Sequence, residues 1–392
     1  MTSLSIIIPT RDRRRYCEAT IRSVLAFDED FELVVQDTSD EAGLEAFCAS
    51  CSDARLRYVR AVGGQGMTAD FERALTGFSG AYACMIGDDD GVTPALFEAA
   101  REAARRGFDS VVSTKFSVLY NWPDFSSKYG GTAAAGRLVI GALDGAFSFR
   151  PAQLAPGVEA FLAGAGQGCG RLPRAYHGLV SRALVERMRG RFGSCFAGVS
   201  PDVSFAFQAA LASERHAEVS WPMTISGASG GSNAGRSARR EHVGDLWSDP
   251  HMKPFRGVLV WPDVIPEFFS VETVWGQAAW EAVQRAGPEY ERRFALPTLY
   301  AMCLIRHPDR ARLTAAAVAR YAARRRLSPA GVWAEVAAAL ARAGAREGVR
   351  VGTAAARRLV PARGNTVRAA SDVAEASSLL RSHFERRRAE AG

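Results

Sequence analysis

Ala81-Tyr82-Ala83-Cys84-Met85-Ile86-Gly87-Asp88-Asp89-Asp90-Gly91 is a short apolar run that passes without a break into three adjacent acids. Residues 82–86 have the length and continuous apolar character of a buried parallel strand. Three neighbouring carboxylates repel one another. A hard divalent cation, held by carboxylate and water oxygens, is the natural compensation. Ligands of open α/β sheets lie just beyond the carboxyl ends of the strands, so the run predicts a metal–diphosphate site. The plain alternative is a solvated acidic turn, but Pro94 and the helix after it already suffice for a turn.

On either side of this run, strand and helix patterns alternate. Leu4–Pro9, Glu32–Gln36, Leu56–Ala61 and Ser110–Thr114 read as strands. Tyr16–Phe27, Asp40–Cys51, Met67–Phe78 and Pro94–Gly107 read as helices, the last with Pro in its first turn and Gly at its end. That order predicts an α/β fold: a doubly wound, mostly parallel sheet with helices on both faces. Residues 120–156 loosen into Gly, Pro and aromatics and predict hairpins and loops, and 226–252, rich in Gly, Ser and Arg, predict a mobile loop. Helices resume at Ser181–Arg191, Pro201–Ser213, Phe268–Arg285 and Leu296–Arg306. An Ala/Arg-rich helical region follows from Asp309, broken at Ser328-Pro329, Gly344, Gly348 and Pro361. The expected organisation is 1–120 as the nucleotide-binding half, 121–300 as the acceptor-binding and catalytic half of the same domain, and 301–392 as a basic helical appendage.

The other strand ends agree with the acid run. They are Pro9-Thr10-Arg11-Asp12, Gln36-Asp37-Thr38-Ser39-Asp40, and Gly63-Gly64-Gln65-Gly66-Met67 opening a helix. Glycines there allow close backbone approach, and a helix start favours an anion. The first strand is followed by Arg11-Asp12-Arg13-Arg14-Arg15, not by a G-x-G-x-x-G turn, which counts against a dinucleotide-binding dehydrogenase. No P-loop is present. Ser5-Ile6-Ile7-Ile8-Pro9-Thr10-Arg11-Asp12, Val34-Val35-Gln36-Asp37-Thr38-Ser39 and Ile86-Gly87-Asp88-Asp89-Asp90 together resemble the family-two glycosyltransferases of the GT-A fold, most closely over residues 3–115.

The resemblance implies a nucleotide-diphosphate-sugar donor, UDP-sugar first, a saccharide or lipid-linked acceptor, Mn²⁺ or Mg²⁺, and inversion at the anomeric carbon. By it, Pro9, Thr10, Arg11 and Asp12 line the nucleoside pocket and Asp37 meets the base or ribose. Gly64, Met67 and Asp70 lie near the nucleotide, and Asp88 and Asp90 form the acidic pair on ribose and metal, with Asp89 beside them. Many relatives read Leu-Asp-x-Asp-Asp where this chain has Gly87, which leaves open which of Asp88, Asp89 and Asp90 touches metal. In related enzymes a carboxylate at a helix start well after the acid motif serves as general base, which selects Asp202 in Gly198-Val199-Ser200-Pro201-Asp202-Val203; helix capping explains the same residues. A histidine on a late loop often completes the metal shell. That selects His242, with His251 as competitor; Arg236, Arg239 and Arg240 read as diphosphate partners or as solvated charge. His177 is assigned to the acceptor pocket or to a buried structural role. A non-catalytic nucleotide-sugar-binding or scaffold protein is the rival reading, against which the intact acids speak. A nucleotidyltransferase is the other, against which the absence of a Gly-rich, Lys-containing loop after the first strand speaks.

Charge and cysteines bound the rest. From Arg306 to Gly392 there are 18 Arg, no Lys and seven acids, about +11 of a total of +7, so the first 305 residues sum to −4. Contact of this basic region with anionic membrane is one reading and solvated helix faces another; nothing in the catalytic part supports nucleic acid. Seven scattered cysteines suggest free thiols in a reducing compartment. Cys48 and Cys51 have metal-like spacing without a second pair and read as helix packing. The tryptophans 221, 247, 261, 275 and 280 offer a sugar-stacking platform or core. No run of about 18 apolar residues and no secretory leader is visible, so a cytoplasmic protein is expected, with peripheral contact at the inner face of the membrane left open.

Overall fold

The computed structural model describes residues 3–40, 42–61, 65–115, 118–141, 143, 145–239, 241–343 and 366–391. Gly64, Arg240 and the expected helix breaks at Gly344, Gly348 and Pro361 lie outside the described residues.

The N-terminal part alternates as expected: β1 (Leu4–Thr10), α1 (Arg14–Leu25), β2 (Glu32–Asp37), α2 (Leu44–Ser50), β3 (Leu56–Arg60), α3 (Met67–Ala74) and β4 (Tyr82–Met85). Next come β5 (Gly91–Val92), α4 (Pro94–Arg106) and β6 (Ser110–Ser113). The Thr93 hydroxyl caps α4 by accepting from Ala95 N at 3.1 Å, and Gly107 closes the helix at φ 67°. α2 starts four residues later than the expected Asp40–Cys51, where Gly43 turns the chain at φ 127°.

β7 (Val118–Asn121), β8 (Arg137–Ile140), β9 (Phe149–Ala152), α5 (Ala155–Ala163), β10 (Gly178–Ser181), α6 (Arg182–Phe192), α7 (Pro201–Ala212), β11 (His216–Val219), β12 (Thr224–Ala228) and α8 (Asn233–Arg239) follow. The chain ends in α9 (Val271–Ala286), α10 (Pro288–Arg293), α11 (Leu296–Arg306), α12 (Ala311–Arg325), α13 (329–343), β13 (Thr366–Ala369) and α14 (Val373–Ala391).

The main sheet has the order β3-β2-β1-β4-β10-β6-β11-β9, and its first four strands are parallel. Alternation divides their side chains cleanly. Ile6, Ile8, Leu33, Val35 and Cys84 pack under α1 and α4, while Ile7, Val34, Ala83 and Met85 pack on the opposite face with residues of α6 and α7. Both faces of β1, β2 and β4 are covered, so their centres read as apolar runs, whereas the edge strand β3 alternates with arginine.

Two expectations need correction. Residues 226–252 are not simply loop: β12 pairs with both β5 and β7, and α8 follows it. Nor are 301–392 one appendage. β13 completes the smaller sheet, β13-β8-β7-β12-β5, and α14 lies along α1. Val373, Ala376, Leu380 and Phe384 enter a core with Tyr120, Trp122 and Trp221. Their apolar spacing is diluted by Arg and Ser, which hid a buried helix behind a basic composition. Only α11–α13 pack as an outer helical layer, against α5, α7 and α9. No helix among the described residues is long and apolar enough to cross a membrane.

Candidate functional site

β1 carries Thr10 to its carboxyl end, β2 carries Asp37, and β4 leads into Gly87–Asp90. These ends meet where the strand order reverses, the usual ligand crevice of such sheets. Asp88 accepts from Thr10 Oγ1 at 2.7 Å and from Arg13 Nε at 2.7 Å. Asp89 accepts from Arg13 Nη2 at 2.8 Å, from Ser229 Oγ at 2.6 Å and from Ser229 N at 3.2 Å. Asp90 accepts from Gly87 N and Gly227 N, both at 2.6 Å, and from Tyr176 Oη at 2.8 Å, with His177 Nε2 at 3.2 Å. All three side chains are buried. Their backbone is held as well: Thr20 Oγ1 lies 2.8 Å from the carbonyl of Asp88 and 2.9 Å from that of Asp90, and Trp122 Nε1 donates to that of Asp89 at 2.9 Å. Gly227 lies so close over the turn that a Cβ there would overlap the Asp89 carbonyl.

Burial pushes Asp88 up to about 7, against the pull of Arg13. Burial, with Asp90 as a like-charged neighbour, also raises Asp89. Burial works against ionised Asp90 too, but His177 and the hydrogen-bond donors outweigh it and lower its pKa.

The nucleoside side of the crevice is made by the β1 and β2 ends. Asp37 is fully buried and accepts from Ser39 N at 2.8 Å, Tyr58 Oη at 2.9 Å and Arg60 Nη1 at 3.1 Å. Asp12, at φ 54°, accepts from Asp40 N at 2.8 Å and locks the two strand ends together; Arg11 is exposed. Asp70 is raised by burial, with Arg73 and Arg11 pulling the other way.

Beside the acid turn opens a cavity of about 400 Å³, lined by Met67, Tyr176, Asp202, His242, His251 and Trp275 among others. Asp202 stands in the first turn of α7, after Ser200 and Pro201. Burial raises its pKa. His251 donates through Nε2 to Val199 O at 2.7 Å, the geometry of a positioned neutral ring, and burial lowers its pKa. His242 Nε2 is buried with no hydrogen-bond partner among the described residues. Tyr176 joins the two places: it lines the cavity and donates to Asp90.

The expected metal set is not brought together. His242 lines the Asp202 cavity, while Asp88 and Asp90 lie under the β12 turn with their own donors. Among the described residues no group of three or more His, Cys, Asp or Glu could hold a metal ion. These residues, as arranged, do not fit a resident ion. His177 stands behind Asp90, with Nδ1 2.8 Å from Thr224 Oγ1, and not on the cavity wall assigned to an acceptor. Arg236 pairs with Asp249 at 2.8 Å, and Arg239 with Glu241 at 2.8 Å. Of the tryptophans, Trp275 reaches the cavity, while Trp221 and Trp280 are core. All seven cysteines are free. Sequence reasoning missed Arg13, Tyr176, Ser229 and Gly227. Only Arg13 carried a signal: a basic run after one strand, facing the acidic end of its neighbour.

Residues 5–191, just under half of the chain, match the family model described as glycosyl transferase family 2. No curated protein matches. Among solved structures, the chain is similar to residues 1–349 of TarS from S. aureus in complex with UDP-GlcNAc, at 13% identity and TM-score 0.45, covering 83% of this chain and 92% of that one. Against the longer TarS structure the values are 14% and 0.42, covering 80% of this chain and 54% of that one, so the chain spans about half of its length. It is also similar to the mannosyltransferase PcManGT from Pyrobaculum calidifontis in complex with GDP-Man and Mn²⁺, at 16% identity and TM-score 0.37, covering 88% of this chain and 86% of that one.

Proposed function

We propose, from the match of residues 5–191 to glycosyl transferase family 2, that the chain moves a sugar from a nucleoside diphosphate donor, a UDP-sugar, to a hydroxyl of a saccharide or lipid-linked acceptor with inversion. The observation that carries this reading is Asp202: a carboxylate with a raised pKa, in the first turn of α7, on the wall of a cavity that shares Tyr176 with the acid turn.

In the proposed reaction Asp202 takes the proton of the acceptor hydroxyl as its oxygen bonds to the anomeric carbon. The bond from that carbon to the diphosphate oxygen breaks, and the nucleoside diphosphate leaves with the electron pair. A base positioned in this way contributes about 10²–10⁴-fold, most effectively when its pKa is drawn toward the working pH. Pro9, Thr10, Arg11, Asp12, Asp37, Gly64, Met67 and Asp70 are the proposed donor contacts, and Asp88–Asp90 shape the floor beneath them. Holding donor and acceptor in line in one cavity supplies the remaining advantage. The basic surface of α12 is the proposed contact with anionic headgroups for a lipid-linked acceptor, although Arg324 is partly engaged by Glu291 at 3.4 Å.

A thermal-shift panel of nucleoside diphosphates tests the donor assignment. A ligand that binds only the native state raises the midpoint by mass action. A shift with UDP that exceeds those of the other bases is expected. No shift with any nucleoside diphosphate would overturn the reading.

A further inference from the structure

Three adjacent buried acids need a counter-charge, and this fold places one there from the residue that precedes α1. Arg13 lays Nε on Asp88 at 2.7 Å and Nη2 on Asp89 at 2.8 Å; the same Nη2 reaches Ser229 Oγ at 2.8 Å. Its guanidinium carbon sits 4.8 Å from the centre of the Tyr16 ring. The group is mostly buried, and its two ion pairs outweigh desolvation, so it stays charged.

A carboxylate offers about four lone-pair sites on its two oxygens. Asp90 has four donors within 3.2 Å. Asp88 has Thr10 on one oxygen and Arg13 on the other, and Asp89 has three donors on one oxygen. A small divalent ion requires a nearly complete oxygen shell with strict geometry. At Asp90 it would have to displace these donors, and at Asp88 or Asp89 it would stand beside a guanidinium. The cost is a second cation in a buried site already neutralised in part.

We infer that Arg13 is the resident cation of the Asp88–Asp90 cluster, and that these carboxylates bind the donor's surroundings without coordinating a divalent ion. The inference rests on the donor-site reading only for its nucleotide arm. The manganese arm stands alone.

The test is a Mn²⁺ titration of the full chain, following the free ion by electron paramagnetic resonance. The wild type is expected to show no stoichiometric site. Arg13→Gln frees the carboxylates and is expected to bind one Mn²⁺ at least about tenfold more tightly than wild type. One Mn²⁺ per wild-type chain, lost in Asp88→Asn or Asp90→Asn, would overturn the inference, and this arm decides even if Arg13→Gln does not fold. Calorimetry of UDP binding in EDTA and in Mn²⁺ gives the second arm. Affinities within about threefold are expected. A gain of about tenfold or more with Mn²⁺ that Asp88→Asn, Asp89→Asn or Asp90→Asn abolishes would overturn the inference; the same gain surviving in each of the three places the ion on the phosphates and supports it. If UDP binds in neither condition the donor reading falls, and the manganese arm still decides the role of Arg13.

Discussion

Asp90 receives four donors within 3.2 Å, whereas among the described residues no side chain donates a hydrogen bond to the carboxylate of Asp202. Both belong to one crevice, yet the fold treats them oppositely. The acids at 88–90 are wired to β1, α1, β10 and β12 and cannot move without breaking several bonds. Asp202 faces a cavity, and burial alone raises its affinity for a proton. A saturated carboxylate is an architectural part. An under-satisfied one with space before it is available for chemistry.

The largest expected effect tests the second half of that contrast. Asp202→Asn is expected to lower kcat by about 10²–10⁴-fold while leaving UDP affinity nearly unchanged. If Asp90→Asn lowers kcat equally at unchanged affinity, the contrast fails. The pH profile sharpens it: because the base acts deprotonated and its pKa is raised, the acid limb of kcat is expected above the ordinary aspartate range, and it should vanish in Asp202→Asn.

Arg13→Met tests the first half. It leaves two buried carboxylates without their cation, and urea unfolding should show a loss of about 3–5 kcal/mol. A loss under about 1 kcal/mol would mean the pairs behave like exposed ones. Phe384→Ala asks whether α14 truly backs this cluster. Phe384 is 1% exposed and packs edge-on to Trp221, so truncation is expected to cost about 3 kcal/mol.

Glu272, in the first turn of α9, is another carboxylate held by charged partners. Arg306 Nη1 donates to it at 2.6 Å and His307 Nε2 lies 2.8 Å away. Burial opposes its charge, but these two partners bring it down to about 2 from 4.5. Its folded pKa is depressed, so its contribution is present above pH 4.5 and is lost as pH falls from there toward 2. Glu272→Gln should therefore cost roughly 3 kcal/mol at pH 7 in thermal or urea unfolding. The gap to wild type should close on acidification through that window.

Much of the sheet was legible because its side chains answer to local rules. Leu4–Pro9 and Tyr82–Ile86 are apolar on both faces, and Pro94 and Gly107 punctuate α4. The acid turn was legible as a site because three adjacent acids are costly anywhere. Its partners were not. Ser229 lies 140 residues from Asp89, in a stretch whose Gly and Ser read as loop until β12 pairs with β5 and β7. α14 was hidden by its arginines, of which Arg381 donates to the Ala26 carbonyl and Arg387 to the Leu143 carbonyl while Leu380 and Phe384 go inward.

The sequence by itself determined the order of strands and helices through Ser113 and the placing of Thr10, Asp37 and Asp88–Asp90 at strand ends, because periodicity and strand direction are properties of short segments. Only the tertiary structure decided that those acids are met by donors while Asp202 is left facing a cavity. Arg13 meets Asp88 across 75 residues, and Tyr120 meets Ala370 across 250. Such pairs exist only after the sheets close, since a buried charge takes its partner from whatever element the packing brings within 3 Å.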